Sequence, residues 1–139
     1  MGHSTTHVHK RVMVIDDNEV DRYVASYAME KHLFAEEVVC YELAKEALEY
    51  LVSLEDTPEE LPELIFLDIN MPEMNGFEFL EEYGKLSENI KKNCIIMMLT
   101  TSLNEADRVR AEENKYVFRF LSKPMSMDKI ETFATYLKK

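Results

Sequence analysis

Five short apolar runs punctuate the chain, and between them apolar residues recur every three or four positions. The runs are Val12-Met13-Val14-Ile15, Val38-Val39-Cys40-Tyr41, Leu64-Ile65-Phe66-Leu67, Ile95-Ile96-Met97-Met98-Leu99 and Val117-Phe118-Arg119-Phe120-Leu121. Continuous runs of this length predict strands covered on both faces, as in a parallel sheet. Val20, Tyr23, Val24 and Tyr27 fall at i, i+3, i+4 and i+7, which predicts one face of a helix running to about His32. Leu43, Ala44, Ala47, Leu48 and Leu51 predict a second helix, and a third starts near Phe77. Ser102-Leu103-Asn104-Glu105 reads as a capping box for a fourth, with Ser102 as cap and Glu105 reaching back. Ile130, Phe133, Ala134 and Leu137 mark a final helix ending at Lys138-Lys139. Pro58 and Pro62 break the acidic connector 55–63, and Pro72 with Asn75-Gly76 makes 70–76 a loop.

Strand and helix alternate throughout, so the expected class is α/β: a doubly wound, five-stranded parallel sheet with helices on both faces. The runs around residues 13, 66 and 97 are the most uniformly apolar and are expected at the centre. Those near 39 and 119 are expected at the edges, which gives the order 2-1-3-4-5. At 139 residues one domain is expected. Residues 1–10, with His3, His7 and His9, are polar and read as a disordered or non-native leader, leaving 11–139 as the folded unit.

Charge narrows the function. The chain carries 16 Lys+Arg against 27 Asp+Glu, a net charge of −11. This argues against a direct nucleic-acid partner and against polybasic membrane anchoring. No apolar run approaches a membrane span, so no membrane insertion is expected. Cys40 and Cys94 sit in apolar surroundings and read as two separate buried thiols, and a cytoplasmic location is expected.

In a doubly wound sheet, ligands bind outside the carboxyl ends of the strands, where the strand order reverses. Asp16 and Asp17 end the first strand, Asp68 the third and Thr100 the fourth, and Lys123 follows the fifth. Singly, each has a plain structural role: helix cap, turn former, strand-end hydroxyl, solvated lysine. Their coincidence at one rim carries the chemical reading. Three carboxylates sharing a small site call for a raised pKa or a bound cation, and a hard ion such as Mg²⁺ (or Mn²⁺) suits oxygen ligands. Asp68, between that ion and Lys123, is placed as a nucleophile toward phosphorus.

These segments resemble the receiver domain of bacterial two-component response regulators, in its stand-alone, chemotaxis-regulator-like form. Val14-Ile15-Asp16-Asp17-Asn18 resembles the opening acidic pair, and Leu67-Asp68-Ile69-Asn70-Met71-Pro72-Glu73-Met74-Asn75-Gly76 the phosphoacceptor segment. Met97-Met98-Leu99-Thr100-Thr101 and Phe120-Leu121-Ser122-Lys123-Pro124 resemble the last two signatures. The resemblance implies a flavodoxin-like fold and phosphoryl transfer to Asp68 from a sensor histidine kinase or a histidine phosphotransfer protein. It implies that Asp17 and Asp68 ligate Mg²⁺ directly, Asn70 through its backbone carbonyl, and Asp16 largely through water. Thr100 would bond the phosphoryl oxygens, Lys123 would pair with them, and Thr100 and Phe120 would move together as a switch. The Lys123–Pro124 bond would be cis. Phe120 stands where many members have Tyr, so its switching would rest on packing. Asn70, Thr101 and Ser102 fall at positions that tune dephosphorylation, and the Thr101 methyl would crowd the site. The 55–63 and 84–93 stretches are longer than in a minimal receiver and imply specific partner contacts.

The leading expectation is a single-domain regulator that signals by binding an unknown downstream protein or by relaying the phosphoryl group. A Mg²⁺-dependent phosphohydrolase is the alternative, but such enzymes want a second Asp where this chain has Asn70. A pure interaction module disagrees with the complete acidic site. Residues 1–90 hold 6 Lys+Arg and 21 Asp+Glu, whereas residues 91–139 hold 10 and 6. The basic third suggests Arg108, Arg110, Lys115 and Arg119 as a face for an acidic partner.

Overall fold

A computed structural model describes residues 9–31, 33–101 and 104–123. Its elements are β1 (His9–Ile15), α1 (Glu19–Lys31), β2 (Ala35–Tyr41), α2 (Ala44–Ser53), β3 (Leu64–Leu67), α3 (Gly76–Tyr83), α4 (Glu88–Lys91), β4 (Ile95–Thr100), α5 (Glu105–Glu113) and β5 (Val117–Ser122), with a 3₁₀ turn at Pro58–Glu60. The five strands form one parallel sheet in the order β2-β1-β3-β4-β5, as expected. The final helix expected around Ile130–Leu137 and the Lys123–Pro124 bond lie outside the described residues.

Alternation along the strands sorts the core into two layers. Met13, Ile15, Ile65, Leu67, Ile96 and Met98 pack under α2 and α3, against Leu51, Phe79, Leu80 and Tyr83. Val12, Val14, Leu64, Phe66, Met97 and Leu99 face the other way, against Ala25, Ala28 and Met29 of α1 and Phe34. Both faces of the central strands are therefore dry, which is why these runs contain no polar alternation.

Helix α1 forms where the spacing places it, with its apolar face turned away from the sheet. Val20, Tyr23, Val24 and Tyr27 face solvent, with Tyr23 68% exposed. The buried stripe is Ala25, Ala28 and Met29. Ala25 and Ala28 let the helix lie against the sheet while Met29 fills the core, and the aromatic stripe is left outside. There Tyr23 and Tyr27 stack at 6.1 Å, and Lys31 Nζ sits 5.8 Å from the Tyr27 ring centre.

Smaller corrections have local causes. β1 begins at His9, inside the expected leader, because His9 N–H bonds the Phe34 carbonyl at 2.9 Å and Nδ1 meets Glu63 at 2.7 Å. The 55–63 connector is anchored rather than loose: Leu61 is buried and Arg11 donates to the Glu60 carbonyl. Within 84–93, α4 forms a helical turn whose Ile90 is buried. Asn104, not Ser102, caps α5, since its Oδ1 accepts from the N–H groups of Ala106 and Asp107. Ser102 lies outside the described residues. Cys40 is exposed on the edge strand β2, and Cys94 is half-buried with its thiol pKa pushed up to about 12 by burial.

The start of α3 sets the spacing behind the carboxyl rim. Asn75 and Glu78 form a reciprocal capping box, and Gly76 N–H donates to the Ile69 carbonyl at 2.8 Å. A Cβ at Gly76 would fall 2.5 Å from the Asp68 carbonyl and 2.9 Å from Met98 Cε. Gly76→Ala is therefore expected to destabilise the fold by about 1–3 kcal/mol, read by urea denaturation.

Candidate functional site

Three strand ends converge where the order reverses between β1 and β3. Asp16 N–H extends the β1–β2 ladder to the Tyr41 carbonyl at 3.0 Å, and Asp68 N–H extends the β3–β1 ladder to the Ile15 carbonyl at 3.0 Å. On the other side, Lys123 N–H bonds the Thr100 carbonyl at 2.9 Å. The register pairs Ile15 with Leu67 and Leu67 with Met98, so Thr100 ends β4 one residue beyond the level of Asp68. Backbone pairing, rather than loop conformation, thus sets where Asp16, Asp68 and Lys123 stand.

The local turn after β1 is self-supporting. Asn18 N–H donates to Asp16 Oδ1 at 2.9 Å, while Asn18 Oδ1 accepts from Asp21 N–H at 2.9 Å and caps α1. Arg22 reaches back from α1 and donates to the Asp16 carbonyl at 2.8 Å.

The charges collect around one ammonium. Lys123 Nζ lies 2.6 Å from Asp16 Oδ2, 2.7 Å from Asp21 Oδ2 and 3.3 Å from Asp68 Oδ2, with its side chain only 7% exposed. Three N–H donors meet three carboxylates. Burial alone would lower the Lys123 pKa, but hydrogen bonds to Asp16 and Asp21 and the charge of Asp68 outweigh it and raise it. Asp68 is held above the usual carboxylate range, first by burial and then by the charge of Asp16; Lys123 and the Ile69 N–H oppose this only in part.

Asp16, Asp17 and Asp68 can each bring one carboxylate oxygen within 4.8 Å of the others. Asp16 and Asp68 are buried and Asp17 is exposed, so the cluster is open on one side. A buried pair of like charges with one shared counter-ion, in an all-oxygen donor set, fits a hard divalent cation.

The other expected residues fall as follows. Thr100 is fully buried, Asn70 and Thr101 are exposed, and Phe120 is half-buried opposite Met98. Arg108 pairs with both Glu105 and Glu112, Arg110 lies 4.1 Å over the Phe77 ring, and Lys115 lies 5.2 Å from the Tyr116 ring centre. Arg119 lies 5.7 Å from the Phe118 ring centre. Sequence reasoning missed Asp21 and Arg22. No local signal pointed to Asp21, whose partner Lys123 lies 102 positions away.

Removing the strained carboxylate tests these electrostatics. In the presence of chelator, Asp68→Asn is expected to be more stable than the parent by about 1–2 kcal/mol in thermal melts. Added Mg²⁺ narrows the gap by stabilising only the chain that binds it. Falling pH narrows it too. With its folded pKa above the unfolded value, Asp68 takes up its proton first in the native state, so its contribution improves as pH drops through that window. An Asp68→Asn chain that melts lower than the parent contradicts this account.

The family comparison agrees with this arrangement. Residues 12–135 match the family model described as response regulator receiver domain. A two-component response regulator of Oryza sativa subsp. japonica is 31% identical over 123 residues, which is 87% of this chain. The chain spans about half, 52%, of that relative's length. A response regulator receiver protein from Dyadobacter fermentans superposes with a TM-score of 0.81 at 27% identity, covering 93% of this chain and 95% of its own. A two-component response regulator from Cytophaga hutchinsonii shares the fold, with a TM-score of 0.84, 24% identity, and 96% and 99% coverage. Five parallel strands in the order 2-1-3-4-5, a carboxylate cluster at their switch point and a family match over most of its length make this chain a member of the response regulator receiver domain family.

Proposed function

We propose that this chain accepts a phosphoryl group on Asp68 from a phosphohistidine donor and passes the signal on by protein binding or onward transfer. The observation that supports this most is the position of Asp68, buried between the Asp16–Asp17 pair and Lys123. An Asp68 carboxylate oxygen attacks phosphorus in line. The new P–O bond forms as the P–N bond breaks, and its electron pair stays on the imidazole nitrogen. Lys123 offsets charge on the transferred oxygens, and the Thr100 hydroxyl donates to them. Asp17, Asp68 and the Asn70 carbonyl would hold Mg²⁺ or Mn²⁺, with Asp16 acting through water; such an ion supplies charge neutralisation. Phe120, half-buried within β5, would then repack with Thr100, while Asn70, Thr101 and Ser102 would set the lifetime of the phosphoryl group.

The exposed stripe of α1 supports a docking role for the donor. Val20, Tyr23, Val24 and Tyr27 lie on the helix that follows Asp17, and they form an apolar face of the kind that seats against another helix. The output partner would use the α5–β5 surface. There Phe118 is 45% exposed, while Arg108 is already neutralised by Glu105 and Glu112. A cytoplasmic setting accords with phosphohistidine chemistry, and among the described residues no helix is long and apolar enough to cross a membrane.

Intact mass after incubation with Mg²⁺ and acetyl phosphate should show one phosphoryl adduct on the parent chain and none on Asp68→Asn. Labelling of the variant at another residue overturns the reading, and chelation should abolish the adduct. Beryllofluoride binding provides a second readout should Thr101 slow the small donor. The paired variant Tyr23→Asp, Val24→Asp should keep acetyl phosphate labelling yet lose roughly tenfold or more in transfer from a phosphohistidine protein. Equal loss with both donors would remove α1 from the docking role.

A further inference from the structure

Among the described residues Lys123 has three carboxylate partners, and they are not equivalent. Asp16 and Asp68 belong to the cluster suited to a divalent cation, and Asp21 does not. Asp21 comes from the first turn of α1, where its own N–H is fixed by Asn18 Oδ1. Its side chain is 34% exposed, yet it approaches Lys123 Nζ at 2.7 Å, closer than Asp68 at 3.3 Å.

A cation drawn to Asp16 and Asp68 competes with their bonds to Lys123, because a carboxylate oxygen shared between two positive centres binds each less strongly. The bond to Asp21 has no such competitor. Asp21 is therefore the partner that still holds Lys123 when the site is loaded. It also competes directly with any phosphoryl oxygen on Asp68, since the ammonium has only three N–H donors.

We propose that Asp21 is a positioning residue that tethers Lys123 to α1 and limits how much of its charge reaches a phosphoryl group on Asp68. This rests on the phosphoryl-accepting reading above. Its consequence is a pair of opposite effects. Neutralising Asp21 frees the ammonium for an anion, and it also removes negative charge near the cation cluster. The phosphoryl site should strengthen while the cation site weakens. Arg22 and Glu19 are the other charged groups in this first stretch of α1. Arg22 is bound to the Asp16 carbonyl, and Glu19 is exposed. Glu19→Gln thus serves as a control that removes one charge from the same turn.

The test uses the full chain and two ligands, Mg²⁺ alone and beryllofluoride at saturating Mg²⁺, both measured by titration calorimetry. Asp21→Asn should bind beryllofluoride about three- to tenfold more tightly and Mg²⁺ about two- to threefold more weakly. Asp21→Glu, which keeps the charge, should return both constants toward those of the parent, and Glu19→Gln should change neither by more than about twofold. Acetyl phosphate labelling should rise in parallel with beryllofluoride affinity. Both affinities falling together, as a simple folding defect gives, overturns the proposal; so does an unchanged beryllofluoride affinity. Should Asp21→Asn fail to fold, Asp21→Ser is read by the same criteria. A parent chain that binds no beryllofluoride refutes the phosphoryl-accepting reading itself, whereas a parent that binds it with Asp21→Asn indistinguishable refutes only the role of Asp21.

Discussion

A single buried ammonium group, Lys123 Nζ, pairs with carboxylates at the ends of β1 and β3 and at the start of α1. Lys123 stands 102 positions from Asp21 and 55 from Asp68, so only the sheet brings them together. Three of the four arrive through a strand-end backbone bond, Asp16 to Tyr41, Asp68 to Ile15 and Lys123 to Thr100, and Asp21 arrives on the first turn of α1. A one-residue slip of any ladder would turn a side chain to the opposite face and leave a buried charge without its partner. The register of the sheet and the electrostatics of the site are thus one constraint.

Holding that constraint costs stability, and the two core layers supply it. Asp68 stays above the usual carboxylate range because burial and Asp16 oppose its ionisation. Such a group persists only where the surroundings leave it no alternative. Here the surroundings are β3, buried at every position, and α3, whose first residue has no Cβ because the Asp68 carbonyl occupies that space. Packing behind the rim fixes the Asp68 carboxylate beside Asp16 and Lys123.

Helix α1 links three tasks. Its inner stripe of Ala25, Ala28 and Met29 packs on the sheet, its first turn delivers Asp21 to Lys123, and its outer stripe leaves Tyr23 and Tyr27 in solvent. A partner seated on that outer stripe would stand next to the ion-pair network, because one rigid helix carries both. Arg22 strengthens the connection by binding the strand-end carbonyl of Asp16.

Much of this was legible in the chain. Runs such as Leu64-Ile65-Phe66-Leu67 specify a doubly covered strand because no polar residue could survive on either face, and the alternation of such runs with helical spacing specifies the layer order. Asp16, Asp17, Asp68, Thr100 and Lys123 were readable because each stands at the end of a recognisable strand. Other features were not local. The apolar spacing of Val20, Tyr23, Val24 and Tyr27 signals a helix, but periodicity is blind to which of two stripes meets the sheet. Packing against β1 and β2 chose the stripe of Ala25, Ala28 and Met29. The partnership of Asp21 with Lys123, across 102 positions, was likewise hidden, since an acidic residue in a first helical turn reads as a dipole partner. By itself, then, the sequence determined the five strands, their order in the sheet and which residues stand at their carboxyl ends, because those follow from short-range hydrophobic patterning. The tertiary structure decided which helix face is buried and which carboxylates share one ammonium, because both depend on distances between segments remote along the chain.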